Sequence, residues 1–219
     1  VSELSDLSGV GTSELLSELL RRPEADFLNA AGLLAPEAYR LANLLGIRVC
    51  VDGVPVRKNQ DGEVELMAIR RGTGPYAGKL CLVGGGVERV LRDGQWVPES
   101  LAEALTRHFR VDLGFDITPL VSWDQPQYVA QDMRPVKDTV REGFTPNPNS
   151  RHLIAIRYLV QITGGDDPPT FGATQWGGQE AAGVVWFTRQ AMPPASEFGY
   201  HHDQTYLAMF PIAESLALA

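Results

Sequence analysis

The chain of 219 residues carries a formal net charge of −8, with 44% hydrophobic and 21% charged residues, the profile of one globular domain with a core of its own. That acidic balance argues against a nucleic-acid polymer as partner, which requires a basic face, and leaves room for a small phosphorylated ligand held through a divalent cation. No apolar run approaches the about 20 residues that cross a bilayer, and no basic-then-apolar leader pattern opens the sequence. No membrane association is expected, and Cys50 and Cys81 read as reduced, buried side chains in the cytoplasm.

In chain order, residues 1–45 predict helices: "TSELLSELLRR", capped by Thr12 or Ser13 and stopped by Pro23, and "APEAYRLANLLG", with Pro36 in its first turn and Gly46 at its end. They read as an N-terminal extension, a candidate dimerisation element, before a main domain over 46–219. "IRVCVDGVPVRK" and "EVELMAIRR" predict two strands joined through the turn "NQDGE". "KLCLVGGG" predicts a third strand ending in a glycine turn, and "VERVLRDGQWVP" a connector to a helix within "ESLAEALTRHFRVDLGFDI". "ITPLVSWDQPQYV", "RHLIAIRYLVQITGG" and "AAGVVWFT" predict further strands. A long loop, "AQDMRPVKDTVREGFTPNPNS", separates the first two of these. "HHDQTYLAMF" predicts a final helix that bends or breaks at Pro211. Strands mixed with a few helices, not strictly alternating, predict an α+β fold.

The first helix of the main domain carries an anomaly. At about 100° per residue, Leu101, Ala104, Leu105, His108, Val111 and Asp112 share one arc, and Glu99, Glu103, Arg107 and Arg110 the opposite one, with Glu103 and Arg107 as an i,i+4 pair. Asp112 thus lies on the apolar arc, in the last turn. A buried unpaired carboxylate is strongly disfavoured, and a negative charge there opposes the helix macrodipole by about 0.3–1 kcal/mol. Either a cation meets it, or the helix frays before Gly114 and Asp112 reaches water.

From the triple glycine to Phe115 the chain resembles the Nudix box, G-x5-E-x7-R-E-U-x-E-E-x-G-U, with U a bulky apolar residue. Glu99, Arg107, Phe109, Gly114 and Phe115 match, while "RVLRDGQW" is inserted before Glu99 and the three helix glutamates become His108, Val111 and Asp112. "NSRHLIAIRYLV", "GGQEAAGVVWFT" and "EFGYHHDQTYLAMF" resemble, in order, the family's strand after the box, its acidic loop with the Trp-Phe strand, and the start of its closing helix. The resemblance implies a Nudix-like mixed-sheet α/β/α sandwich. It also implies a hydrolase of a nucleoside diphosphate linked to another moiety, such as a nucleotide sugar. A catalytically impaired ligand-binding module of the same fold is the alternative.

In the family, helix carboxylates hold up to three magnesium ions at a diphosphate. Val111 cannot ligate and His108 is a poor magnesium ligand, so one magnesium or manganese ion is expected. By resemblance to the GDP-mannose hydrolase branch, its ligands would be Asp112, a carbonyl near Gly85, and Gln179 or Glu180. His108, Glu180 and His202 are the candidates for proton transfer, with His201 a further imidazole. By the same resemblance Arg70, Arg71 and Lys79 stand where phosphate contacts fall. Trp123, Tyr128 and Phe144 could stack a nucleobase or merely pin their loop. Glu99 and Arg107 read as a structural pair at the loop–helix junction.

Overall fold

The computed structural model describes residues 48–73, 76–134, 151–165, 169, 171–172 and 179–217. The helices expected before residue 46, that boundary, and Phe144 with most of its loop lie outside them. Residues 49–131 and 154–219 form one compact unit. Strands β1 (Arg48–Lys58) and β2 (Val64–Arg71) form the expected hairpin. Its turn closes because Asn59 Oδ1 accepts the amides of Asp61 and Glu63 at 3.0 and 2.8 Å, and Gly62 takes a φ of 80°.

The remaining elements are β3 (Leu80–Cys81), β4 (Val83–Gly86), β5 (Arg89–Arg92), β6 (Gln95–Pro98), α1 (Leu101–Leu113), β7 (Phe115–Pro119), β8 (Tyr128–Arg134), β9 (Arg151–Gly165), β10 (Ala181–Thr188) and α2 (His202–Ala217). The main sheet runs β10-β2-β1-β9-β7, with β3 beside β2, β4 beside β1 and β8 beside β9. Strict alternation sends the side chains of these strands to two separate cores. Val51, Met67, Ile69, Cys81, Val83, Tyr158 and Val160 pack with Ala104, Leu105, Phe109 and Leu113 of α1. Val54, Val56, Leu66, Ala68, Leu80, Leu82 and Leu159 pack with Tyr206, Met209, Phe210 and Ala213 of α2. This is the expected α/β/α sandwich, with a helix on each face. Among the described residues no helix is long and apolar enough to cross a membrane.

Four local expectations change. The triple glycine is not a turn: Gly84, Gly85 and Gly86 pair with Asp52, Val51 and Cys50 as strand β4. The strand "KLCLVGGG" is interrupted at Leu82, whose amide donates to His202 Nδ1 at 3.0 Å instead of to a neighbouring strand. The inserted connector is a hairpin of its own, β5–β6, turned by Asp93 and Gly94 at φ 50° and 78°. Helix α2 continues through Pro211 to Ala217; its buried residues on both sides of the proline hold it against the sheet.

Helix α1 lies unusually near β1. A Cβ added to Gly53 would sit 2.6 Å from Phe109 Cε2, in the core. Gly53→Ala is therefore expected to lower stability by about 1–3 kcal/mol in chemical denaturation, and a change below about 0.5 kcal/mol would contradict this packing.

Candidate active site

Helix α1 is fixed at both ends. Ser100 Oγ accepts the Glu103 amide at 3.2 Å and the Glu103 carboxylate accepts the Ser100 amide at 2.7 Å, a reciprocal cap. Gly114, at φ 70°, ends the helix and donates to the Arg110 carbonyl. Glu103 is further engaged by Arg92 of the inserted hairpin, and these contacts hold its carboxyl down to about 2. The expected Glu103–Arg107 pair does not form, because both partners have better ones. Arg107 reaches back to buried Glu99 (2.5 and 3.1 Å), to the Gly86 carbonyl (3.1 Å) and to Glu88 (3.5 Å). Glu99 and Arg107 thus make the structural pair read from the sequence, tying the start of α1 to the glycine strand.

The helix remains intact through Leu113, and Asp112 is only 6% exposed, so the fraying alternative does not hold. The buried arc centres on Leu105, Phe109 and Asp112, while Val111 turns outward at 51% exposure. One turn before Asp112, the His108 ring lies flush against Gly85, where any Cβ would be 2.6 Å from Cε1. Its Nδ1 is 3.4 Å from Asp112 Oδ2 and its Nε2 is 3.4 Å from the Gly86 carbonyl. Both ring nitrogens face acceptors.

Across from α1, the start of β10 brings in Glu180. Its pKa is raised, first by burial and then by the charge of Asp112, with Arg71 and His108 opposing the rise. Arg71 Nη1 pairs with Glu180 Oε1 at 2.7 Å, and Gly72 donates to the Glu180 carbonyl at 2.8 Å. The neighbouring Gln179 turns its amide to the Phe171 carbonyl at 3.1 Å. Asp112, His108, Glu180 and Arg71 therefore form one electrostatically coupled cluster, and of the 179–180 pair it is the Glu180 carboxylate that feels Asp112.

The other expected residues are engaged in holding the fold. Lys79 Nζ donates to the Ser196 carbonyl at 2.7 Å; Arg70 donates to the Gly78 carbonyl at 2.7 Å and lies 3.7 Å from Glu197. Together they staple the β2–β3 loop to the segment before α2. His202 is buried, with Nδ1 taken by Leu82, and His201 is exposed at φ 56°. Trp123 packs edge-on to Tyr158 at 5.3 Å and its carbonyl accepts the Tyr158 hydroxyl. Tyr128 covers Arg157, whose guanidinium pairs with Asp52 at 3.3 Å inside the sheet. Sequence reasoning passed over Tyr76 and Tyr200, which stand beside Arg71. Their only sequence signal is an aromatic residue placed next to glycine-rich or helix-starting positions.

Among the described residues no three His, Cys, Asp or Glu side chains converge as a metal cage. The donor chemistry still suits a single hard cation. Magnesium is commonly held by one or two carboxylates and completed by water and substrate phosphates, and Asp112 and Glu180 are the two acids whose charges interact here.

The coupling makes a testable pH signature. The folded chain keeps the Glu180 proton to higher pH than the unfolded chain does, so between those two values the native state binds more protons and stability falls as pH rises. Urea unfolding across the acid-to-neutral range should show that fall in the wild type and lose it in Glu180→Gln. Arg71→Met should move the Glu180 titration further up, since Arg71 opposes the shift. Superimposable pH–stability curves for wild type and Glu180→Gln would contradict the cluster.

No family model matches this sequence, and no curated protein matches it either. Solved structures do. A MutT Nudix hydrolase from Burkholderia pseudomallei is 20% identical, with 75% of this chain and 96% of that one covered and a TM-score of 0.47. The Nudix domain of Shewanella oneidensis NrtR, solved with ADP-ribose, is 15% identical, with 87% and 99% covered and a TM-score of 0.47. A possible asymmetric diadenosine tetraphosphate hydrolase from Jonesia denitrificans is 23% identical, with 78% and 98% covered and a TM-score of 0.53. With its sheet order and a helix on each face, this chain has the Nudix fold.

Proposed function

We propose that the chain is a Nudix-type hydrolase that cleaves a nucleoside diphosphate linked to another moiety, using one divalent cation held by Asp112 and Glu180. The observation that carries this reading is the burial of Asp112, only 6% exposed, near enough to Glu180 for its charge to help raise the Glu180 pKa. Two acids brought together in a partly desolvated cleft repel one another, and a cation between them converts that cost into binding energy. When bound, such an ion polarises phosphoryl oxygens and acidifies coordinated water.

The chain's own residues divide the remaining work. His108, engaged at both nitrogens and seated on Gly85, fixes the direction of the Asp112 carboxylate. Arg71 does the same for Glu180. By the family resemblance a carbonyl near Gly85 would complete the ligand set, on the strand against which His108 is seated. Of the three groups considered for proton transfer, Glu180 serves as a cation ligand in this reading, and His108 has both ring nitrogens facing acceptors. His202 is taken up by Leu82.

One observation favours the second reading, a binding module without turnover: among the described residues no three His, Cys, Asp or Glu side chains converge to hold a metal ion. A single incubation separates the two. With magnesium or manganese, a panel of ADP-ribose, GDP-mannose, UDP-glucose and diadenosine tetraphosphate should yield product from at least one member. That activity should vanish with chelator and fall about 100-fold or more in Asp112→Asn. Thermal stabilisation by a panel member with no product would sink the hydrolase reading and leave the binding module.

A further inference from the structure

The two acids stand on different elements, Asp112 in the last turn of α1 and Glu180 immediately before β10. The main chain at Phe171–Gly172 is bonded to both. Gly172 donates its amide to the Asp112 carbonyl at 3.3 Å, one of the four carbonyls that a helix leaves without an internal partner at its end. The approach is as close as backbone permits, because a Cβ added to Gly172 would overlap the Val111 carbonyl. Any side chain at that position would lift the segment off the helix. Gly165, at φ 124°, lies against the Gly114 carbonyl with the same lack of room. Phe171 anchors the segment by packing against the core that α1 covers.

Gln179 supplies the second attachment. Its Nε2 donates to the Phe171 carbonyl at 3.1 Å, while its own carbonyl accepts the Thr73 hydroxyl at 3.2 Å. A Cβ on Gly72 would overlap that same Gln179 carbonyl, and the Gly72 amide donates to the Glu180 carbonyl at 2.8 Å. The main chain of 179–180 is thereby fixed just beyond β2, and the Gln179 side chain reaches from it to the segment resting on α1. Glu180, the next residue, turns its carboxylate to Arg71.

We propose that Phe171–Gly172 is a clasp that holds the Asp112 turn and the start of β10 at a fixed separation, with Gly172 and Gln179 as positioning residues for the cation between the two acids. The cation half of this inference rests on the reading of the acid pair given above. Gln179 then acts through the main chain and not as a ligand: its amide nitrogen is committed to Phe171. Two carboxylates on separate elements bind an ion more tightly when their spacing is set beforehand, since a loose pair would have to be ordered at the moment of binding.

Manganese binding to the full chain, followed by electron paramagnetic resonance of the free ion, and amide exchange in the metal-free protein test the clasp together. Gln179 is exposed, so Gln179→Leu should fold. It should speed exchange of the Gly172 amide about threefold or more and weaken manganese about tenfold. Gly172→Ala should weaken manganese at least as much; if it does not fold, Gln179→Leu decides. Val56→Ala, which loosens the α2 face instead, should leave manganese affinity within about twofold. In an Asp112→Asn background neither clasp variant should weaken manganese further. Unchanged manganese affinity in the clasp variants, with a loss in Asp112→Asn, overturns the clasp and keeps the cation reading. Weaker manganese in Gln179→Leu without faster Gly172 exchange makes Gln179 a ligand and also overturns it. Should Asp112→Asn bind manganese like the wild type, the cation reading falls; exchange then decides the clasp, which stands if Gln179→Leu deprotects Gly172 and is overturned if it does not.

Discussion

Helix α1 packs directly onto backbone that lacks a Cβ at Gly53 of β1 and Gly85 of β4, and the positions of the site residues follow from that approach. Pairing of β4 with β1 brings Gly84–Gly86 beside Cys50–Asp52. Gly53 then admits the Phe109 ring and Gly85 admits His108, each at a distance that a side chain would forbid. Arg107 seals the arrangement by bonding the Gly86 carbonyl and buried Glu99 together. With α1 pressed this close, the inner side of its last turn faces the core, and Asp112 is buried as a consequence of packing rather than of its own preference.

What accompanies that burial is a set of alternating charges. Asp112 faces His108; Glu180 faces Arg71; Asp112 and Glu180 feel each other. Each acid has a cationic or imidazole neighbour, yet burial, with a smaller contribution from Asp112, raises the Glu180 pKa against the pull of Arg71. The protein thus tolerates the pair without fully neutralising it.

Much of the architecture was legible because it rests on local chemistry. The Asn-Gln-Asp-Gly-Glu turn, the glycine that ends α1, the bounds of the Trp-Phe strand and the buried place of Asp112 all follow from period, capping and turn residues. What escaped depended on partners far away in sequence. The glycine run reads as a turn in isolation and becomes a strand only because β1 is there to pair with it. Glu103 and Arg107 have the spacing of a helical ion pair, but Arg92 and Glu99, on other elements, take their charges first. Arg70 and Lys79 are basic residues at a strand end, and nothing local says that the carbonyls of Gly78 and Ser196 will hold them. His202 offers an imidazole at a helix start, and nothing local says that its ring will accept the Leu82 amide where the strand breaks. The tyrosines beside Arg71 lie more than a hundred positions apart and meet only through tertiary contacts.

The claim on which the functional reading depends is that positive charge from outside the chain completes the Asp112–Glu180 pair. A crystal of the intact protein soaked in manganese, with anomalous scattering recorded at the metal edge, tests it most directly. A single peak within coordinating distance of both carboxylates, absent from Asp112→Asn crystals, is the predicted result. No peak there at saturating manganese, with His108 and Arg71 unmoved against the two acids, would contradict it.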